Sequence, residues 1–390
     1  MLDQRENEID ALRGFFGDPN VRFPARPRLV EDIALYQMPE GLGFQFRGGP
    51  ALVALRGRDA ERTMEFLLPA LDGTREIDDL LGQCPHEVSR VTLLKTLFLL
   101  HTKGLLAEHQ DAAAVQRSTP ANPPTDESLR RQLLFWGRKL GISGFARSGA
   151  EAQSSLESAQ LVLVGTALFG SLTYDILARS GCSSLEVVAW DDDGLLADAL
   201  RVAPFPPRRL TQLATTSIDD LSGHVRESAK YADLVVVATR NAPARLFRVL
   251  NRICLELSCP LLCANDNGMQ VEIGPYVQPH ASACYTCLEM RRGSVDDFML
   301  HEHFYQQDLA RERTAGNSPP LGESVATSAL VASLVALEVV RIVTGIAAPT
   351  LLNAQLTVPL LTGELSSNRI LRVPLCPDCR GGGPALPDPG

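Results

Sequence analysis

Leu161-Val162-Leu163-Val164-Gly165-Thr166-Ala167-Leu168-Phe169-Gly170 is the stretch on which the fold turns. Four consecutive apolar residues feeding a glycine predict a buried strand, and the spacing from Leu168 to Ser180 predicts a helix. A second strand, Leu185 to Trp190, ends in Asp191, Asp192 and Asp193. Another unit runs from Asp233-Leu234-Val235-Val236-Val237 through a helix over Ala242 to Leu257 to the strand Leu261-Leu262-Cys263. Strand and helix alternate, so the pattern predicts an α/β protein with a parallel, doubly wound, Rossmann-like sheet.

Gly165 to Gly170 lies where a phosphate loop belongs, between a strand and a helix N-terminus whose backbone amides attract anions. Ala167 replaces the middle glycine, and its methyl hinders the close approach of a phosphate. Two readings stay open. In one, Gly165 and Gly170 cradle a nucleotide and Asp191 holds a ribose hydroxyl; in the other, these are a tight strand-to-helix turn and a solvated acidic turn. Arg201, Arg208 and Arg209 are candidate phosphate contacts, or solvated loop arginines.

Upstream, the composition divides the chain. Residues 1–28 are a polar, proline-punctuated lead-in, and residues 113–127, with Pro120, Pro123 and Pro124, have linker composition. Between them, over 29–112, Ile33 and Leu35, then Leu42, Phe44 and Phe46, then Ala51 to Leu55 predict a three-stranded meander. Helical spacing follows over Asp59 to Leu71, over a short segment with Ile77, Leu80 and Leu81 capped by Thr74, and over Glu87 to Lys103. Three strands followed by three short helices predict a winged-helix module. A helix near Leu129 to Leu140 opens the second domain, 128–390.

Cys284-Tyr285-Thr286-Cys287 and Cys376-Pro377-Asp378-Cys379 supply four soft thiolates at a spacing that lets each pair reach one tetrahedral ion. Four protein ligands leave no open position, so the expected zinc at Cys284, Cys287, Cys376 and Cys379 is structural and adds to folding free energy. His301-Glu302-His303 lacks the spacing of a metalloprotease helix and reads as exposed charge.

Length and charge bound the rest. A chain of 390 residues holds two or three folded units. A net charge of -9 without a dense basic stripe argues against a nucleic-acid partner, whose binding requires clustered positive charge. Met1-Leu2-Asp3-Gln4-Arg5-Glu6 lacks the start of a secretion signal, and no apolar stretch reads as long and uninterrupted enough to span a bilayer. A cytoplasmic address with reduced thiols is expected, and no membrane.

From about Leu129 to Arg380 the sequence resembles the ThiF-like superfamily, which includes ubiquitin-activating enzymes and their bacterial relatives. The resemblance is carried by Leu161 to Gly165, the strand ending at Asp191, Ala238-Thr239-Arg240-Asn241, both Cys-x-x-Cys pairs, and the helix Glu323 to Gly345. Arg372 to Cys379 is similar to the ending of cyclodehydratase-type proteins that accompany YcaO enzymes in azole-forming peptide biosynthesis. Residues 30–107 resemble a PqqD-like element, the winged-helix module that captures leader peptides in the same setting. That resemblance implies a leader strand added beside Ala51, Leu52, Val53, Ala54, Leu55 and Arg56, packing on the third helix through Arg90, Leu94 and Phe98. A DNA-binding winged helix is the alternative, and Arg90, Lys95 and Lys103 are little basic charge for it.

Active ThiF-like enzymes hold ATP and magnesium with an acidic residue in a Thr-Asp-Asn-type turn, where this chain has Thr239-Arg240-Asn241. A fixed guanidinium repels magnesium. The chain's lysines are Lys95, Lys103, Lys139 and Lys230, so none stands on the segment of the family's phosphate-binding lysine, and no cysteine in 288–322 could carry a thioester. No catalytic residue is assigned and ATP is not expected. The implied role is a leader-peptide-binding, non-catalytic partner of a YcaO-type cyclodehydratase, with a homodimer expected by analogy. The rival is a divergent adenylyltransferase that activates a carboxylate or peptide C-terminus.

Overall fold

The computed structural model describes residues 23–30, 33–39, 42–47, 53–108, 129, 131–132, 149–190, 194–213, 217–294, 304–305, 307–308 and 322–379. The chain divides into two compact units, Met1–Ser155 with Thr344–Ala347 and Leu156–Val343 with Ala348–Gly390. The linker expected over 113–127, the bulk of the opening helix, Asp191 to Asp193, His301-Glu302-His303 and the tail from Arg380 fall outside the described residues.

In the first unit the apolar alternation produces β1 (Pro27–Leu29), β2 (Ala34–Met38), β3 (Gly43–Arg47) and β4 (Val53–Arg56). The helices α1 (Arg58–Ala70), α2 (Ile77–Gly82) and α3 (Arg90–Thr102) follow, then β5 (Leu106–Glu108). β2, β3 and β4 form an antiparallel sheet in that order, while β1 pairs with β5, a pairing the sequence reading lacks. Phe44, Phe46, Val53 and Leu55 alternate onto one face and are buried with Met64, Leu67, Leu94 and Leu97. Thr74 does not cap α2. Its amide and hydroxyl both turn to Asp72 Oδ1, at 2.8 and 2.6 Å, so Glu76 becomes the N-cap and shares a capping box with Asp79.

α4 (Gly149–Ser158) spans the division at Ser155, and the second unit continues through β6 (Gln160–Gly165), α5 (Ala167–Arg179), β7 (Ser184–Ala189), α6 (Leu195–Arg201), β8 (Arg209–Gln212) and α7 (Ile218–Ala229). Next come β9 (Leu234–Arg240), α8 (Ala244–Glu256), β10 (Leu261–Asp266), β11 (Gln270–Val277), α9 (Tyr285–Gly293), α10 (Val325–Thr344), β12 (Ala354–Pro359) and β13 (Ser366–Arg369). They build an eight-stranded sheet in the order β13-β12-β11-β10-β9-β6-β7-β8. β10, β9, β6, β7 and β8 run parallel, as the sequence predicts; β11, β12 and β13 extend the sheet antiparallel. Every residue of β9 is buried, which fits a central strand covered on both faces. The order turns back between β6 and β9, so Gly165, Arg240 and Asp266 end three adjacent strands at the switch point where such folds bind ligands.

One expectation is corrected. α10 is 20 residues long with a mean hydropathy of 1.9, enough by length and composition to cross a bilayer. Its Val331, Ala332, Val335, Ala336 and Val339 are buried, and its buried Glu338 accepts hydrogen bonds from the Leu351 amide at 2.7 Å and the Thr350 hydroxyl at 2.8 Å. One face of the helix thus packs in the core, while Val325, Leu330 and Leu337 are exposed.

Candidate functional site

The turn after β6 is shaped by close packing. A Cβ on Gly170 would lie 3.0 Å from the Gly165 Cα, and one on Gly165 would lie 3.1 Å from the Gly170 Cα and from Leu196 Cδ2. Both glycines therefore let α5 approach the strand, as the tight-turn reading requires. Ala167 sits at φ 44°, a left-handed conformation that costs an L-residue roughly 1–2 kcal/mol.

Thr166 is the N-cap of α5, but its hydroxyl accepts from the Arg240 amide at 2.8 Å and so ties β6 to β9. The helix finds its cap elsewhere. The Phe169 amide donates to Glu323 Oε1 at 3.2 Å, and the Ser328 hydroxyl donates to the same oxygen at 3.2 Å. Glu323 Oε2 lies 3.8 Å from Arg240 Nη1, and Arg240 Nε lies 3.5 Å from Asp266 Oδ2. The guanidinium also donates to the Gly322 carbonyl, and Asp266 Oδ1 accepts from the Gly268 amide at 2.7 Å. Arg240 and Asp266 are buried. The helix N-terminus carries about +0.5 of charge and attracts an anion; here a carboxylate of the same chain fills that role, and Arg240 stands between two carboxylates.

Around this centre, Asn241 has its amide 2.6 Å from the Asp266 carbonyl, and the Tyr305 hydroxyl donates to Asn241 Oδ1 at 3.3 Å. The sequence reading named Arg240 and missed Thr166, Asp266, Glu323 and Ser328. The remaining phosphate candidates are engaged elsewhere: Arg201 with Asp198 and Gln212, Arg208 with Gln160 at the far end of β6, and Arg209 with Glu186 at 3.6 Å.

The four cysteines converge. Cys284 is the N-cap of α9, Cys287 lies in its first turn, and Cys376 and Cys379 occupy turns after β13; all four are buried, with their sulfurs within 4.8 Å of one another. The sulfurs of Cys284 and Cys287 are 3.8 Å apart, those of Cys284 and Cys376 3.6 Å, and those of Cys287 and Cys379 3.5 Å. A tetrahedron with metal–sulfur bonds of about 2.3 Å has edges of about 3.8 Å, so the set can hold one metal ion. The Val373 amide donates to Cys287 Sγ at 3.4 Å, and hydrogen bonds from Cys284 and Cys376 hold the Cys287 thiol well below its ordinary value. Phe247 stacks on Tyr285 with ring centroids 5.2 Å apart, fixing α9 against α8.

In the first unit Val53, Ala54, Leu55 and Arg56 form β4, an edge strand whose outer side has no partner among the described residues; Ala51 and Leu52 fall outside them. On α3, Arg90 is exposed, Phe98 half-buried and Leu94 fully buried in the core. Leu94 therefore packs beneath the surface and does not present itself to a ligand.

Residues 206–378 match the ThiF family. No curated protein matches the chain. Among solved structures, E. coli MccB with AMPCPP and selenomethionine MccA is similar at a TM-score of 0.63 and 16% identity, over 90% of this chain and 99% of that one. E. coli MccB with ATP gives 0.61 and 16% over 91% and 99%. A heterocyclase in complex with substrate and cofactor gives 0.53 and 16%, over 90% of this chain and 39% of that chain. At this identity the likeness is one of fold. The similarity to the ThiF family thus covers residues 206–378, which include Arg240, Asp266, Glu323 and three of the four converging cysteines.

Proposed function

We propose that the chain is a leader-peptide-binding, non-catalytic partner that presents a ribosomally made precursor peptide to a YcaO-type cyclodehydratase for azoline formation. One observation carries the non-catalytic half: Glu323 caps α5 and pairs with Arg240 at the ends of β6 and β9, where a nucleotide's phosphates and magnesium need room and opposite charge. In this reading the chain takes no ATP and the tetrathiolate takes a structural zinc.

The peptide half rests on residues 29–112 acting as a winged-helix leader-recognition module, with β4 adding a leader strand and Arg90 and Phe98 flanking it. Its open edge and the solved complexes of MccB with MccA and of a heterocyclase with its substrate support that reading. The test is fluorescence anisotropy with a labelled leader peptide. Full chain binds it and chain lacking residues 1–112 does not; undiminished binding by the truncated chain refutes the assignment. A homodimer and a cytoplasmic address remain parts of the proposal, and the nine unpaired cysteines support a reducing compartment.

A second reading, a divergent adenylyltransferase acting on a carboxylate or peptide C-terminus, draws on the fold shared with MccB, a microcin C7 biosynthetic enzyme solved with ATP. Pyrophosphate exchange into ATP by the purified chain would establish it.

A further inference from the structure

Asp378 lies between Cys376 and Cys379, and its side chain is only 5% exposed. A carboxylate buried to that degree needs partners. The Thr286 hydroxyl, between Cys284 and Cys287, donates to Oδ2. Arg252 Nε donates to Oδ1 at 3.0 Å and Asn251 Nδ2 to Oδ2 at 3.4 Å, both from α8. Asn251, fully buried, also accepts the Tyr285 amide through Oδ1 at 3.1 Å. The two cysteine turns, 92 positions apart, are thus tied at their middle residues to each other and to one helix, through contacts that pass through no sulfur.

That arrangement has a cost and a use. Four thiolates around a divalent cation leave a net negative cluster, and a further carboxylate beside it is electrostatically adverse; Arg252 offsets only part of this. The use is geometric, because ligands already held in register lose little freedom when they close on an ion. We infer that Asp378 is a positioning residue for the tetrathiolate: through Thr286 and Asn251 it sets the two turns in register and thereby fixes the lifetime of the bound ion. This rests on the zinc reading given above.

The test uses the full chain loaded with zinc, in the wild type and in Asp378→Ala, Asp378→Asn and Thr286→Val. Zinc content is read by mass spectrometry and zinc release by transfer to a chromophoric chelator. Cobalt substitution reports the thiolate charge-transfer band. The wild type holds one ion per chain, and Asp378→Ala releases it roughly 10–100-fold faster while cobalt still gives a tetrahedral tetrathiolate spectrum. Asp378→Asn falls between, since its amide oxygen still accepts from Thr286 while the charge facing Arg252 is gone. A folded Asp378→Ala that releases zinc within twofold of the wild-type rate overturns the inference. Should that variant not fold, Thr286→Val, nearly the same shape, carries the test, and an unchanged rate there overturns it equally. A wild-type chain that binds neither zinc nor cobalt sinks the tetrathiolate reading itself, which separates the two failures.

Discussion

Glu323 stands 154 positions from Phe169 in the chain, yet its Oε1 accepts the Phe169 amide at 3.2 Å. In the proposed reading, this internal carboxylate takes the place at the end of α5 that a phosphate would otherwise fill. Arg240 completes the arrangement from β9, 3.8 Å from the same carboxylate.

Arg240→Ala leaves the buried Asp266 and the half-buried Glu323 without their shared counter-charge. Breaking such a pair costs about 3–5 kcal/mol, which for a domain of this size lowers Tm by roughly 10 °C. Differential scanning fluorimetry without nucleotide measures it, and a Tm within a degree of wild type would show that the pairing adds nothing. Glu323→Gln keeps an acceptor for Phe169 and is the milder change.

Gly170→Ala places a methyl 3.0 Å from the Gly165 Cα, a backbone contact that cannot yield by rotation of a side chain. Overpacking of this kind costs about 1–3 kcal/mol. The loss is expected in the complete absence of ATP. A variant as stable as wild type would return the glycines to a ligand-binding role.

Cys376→Ser removes one of four converging sulfurs, and chelation would strip the proposed zinc from all of them. Because binding to such a site is coupled to folding, each treatment is expected to lower Tm by roughly 10 °C and to abolish stoichiometric zinc. Unchanged metal content and melting after Cys376→Ser would remove zinc from the account.

His101, on α3, packs against Phe23 with ring centroids 4.7 Å apart and the rings tilted by 55°, and burial holds its imidazole below the ordinary value of 6.5. The unfolded chain then binds the proton more readily than the folded one, so the group's contribution is fully present above about pH 6.5 and is lost as pH falls through the depressed value. His101→Phe should flatten the decline in Tm between pH 7.5 and 5.5 relative to wild type. Parallel melting profiles would rule the histidine out as a source of acid sensitivity.

The parallel half of the sheet was legible because Leu161 to Val164 and Leu234 to Val237 are apolar runs buried on both faces. β13 was not, since Ser366-Ser367-Asn368-Arg369 is exposed throughout and carries no hydrophobic pattern. The convergence of the four cysteines was readable from spacing, because two Cys-x-x-Cys turns suit a single ion. The Glu323 cap was hidden for a physical reason: a carboxylate reaching a helix 154 positions away leaves no local periodicity. Arg240 was recognised as foreign to its turn, but its partner Asp266 lies beyond the apolar run Leu261-Leu262-Cys263 that marked the strand. Thr74 misled in the opposite direction, because a nearby aspartate claimed its hydroxyl.

The most direct measurement is isothermal titration of magnesium ATP into the purified full chain, repeated with Glu323→Gln. Wild type is expected to show no binding up to millimolar nucleotide, and Glu323→Gln, which removes the internal anion and leaves Arg240 in place, is expected to bind more tightly. Saturable, magnesium-dependent binding by the wild-type chain would contradict the claim that this site is closed by its own side chains.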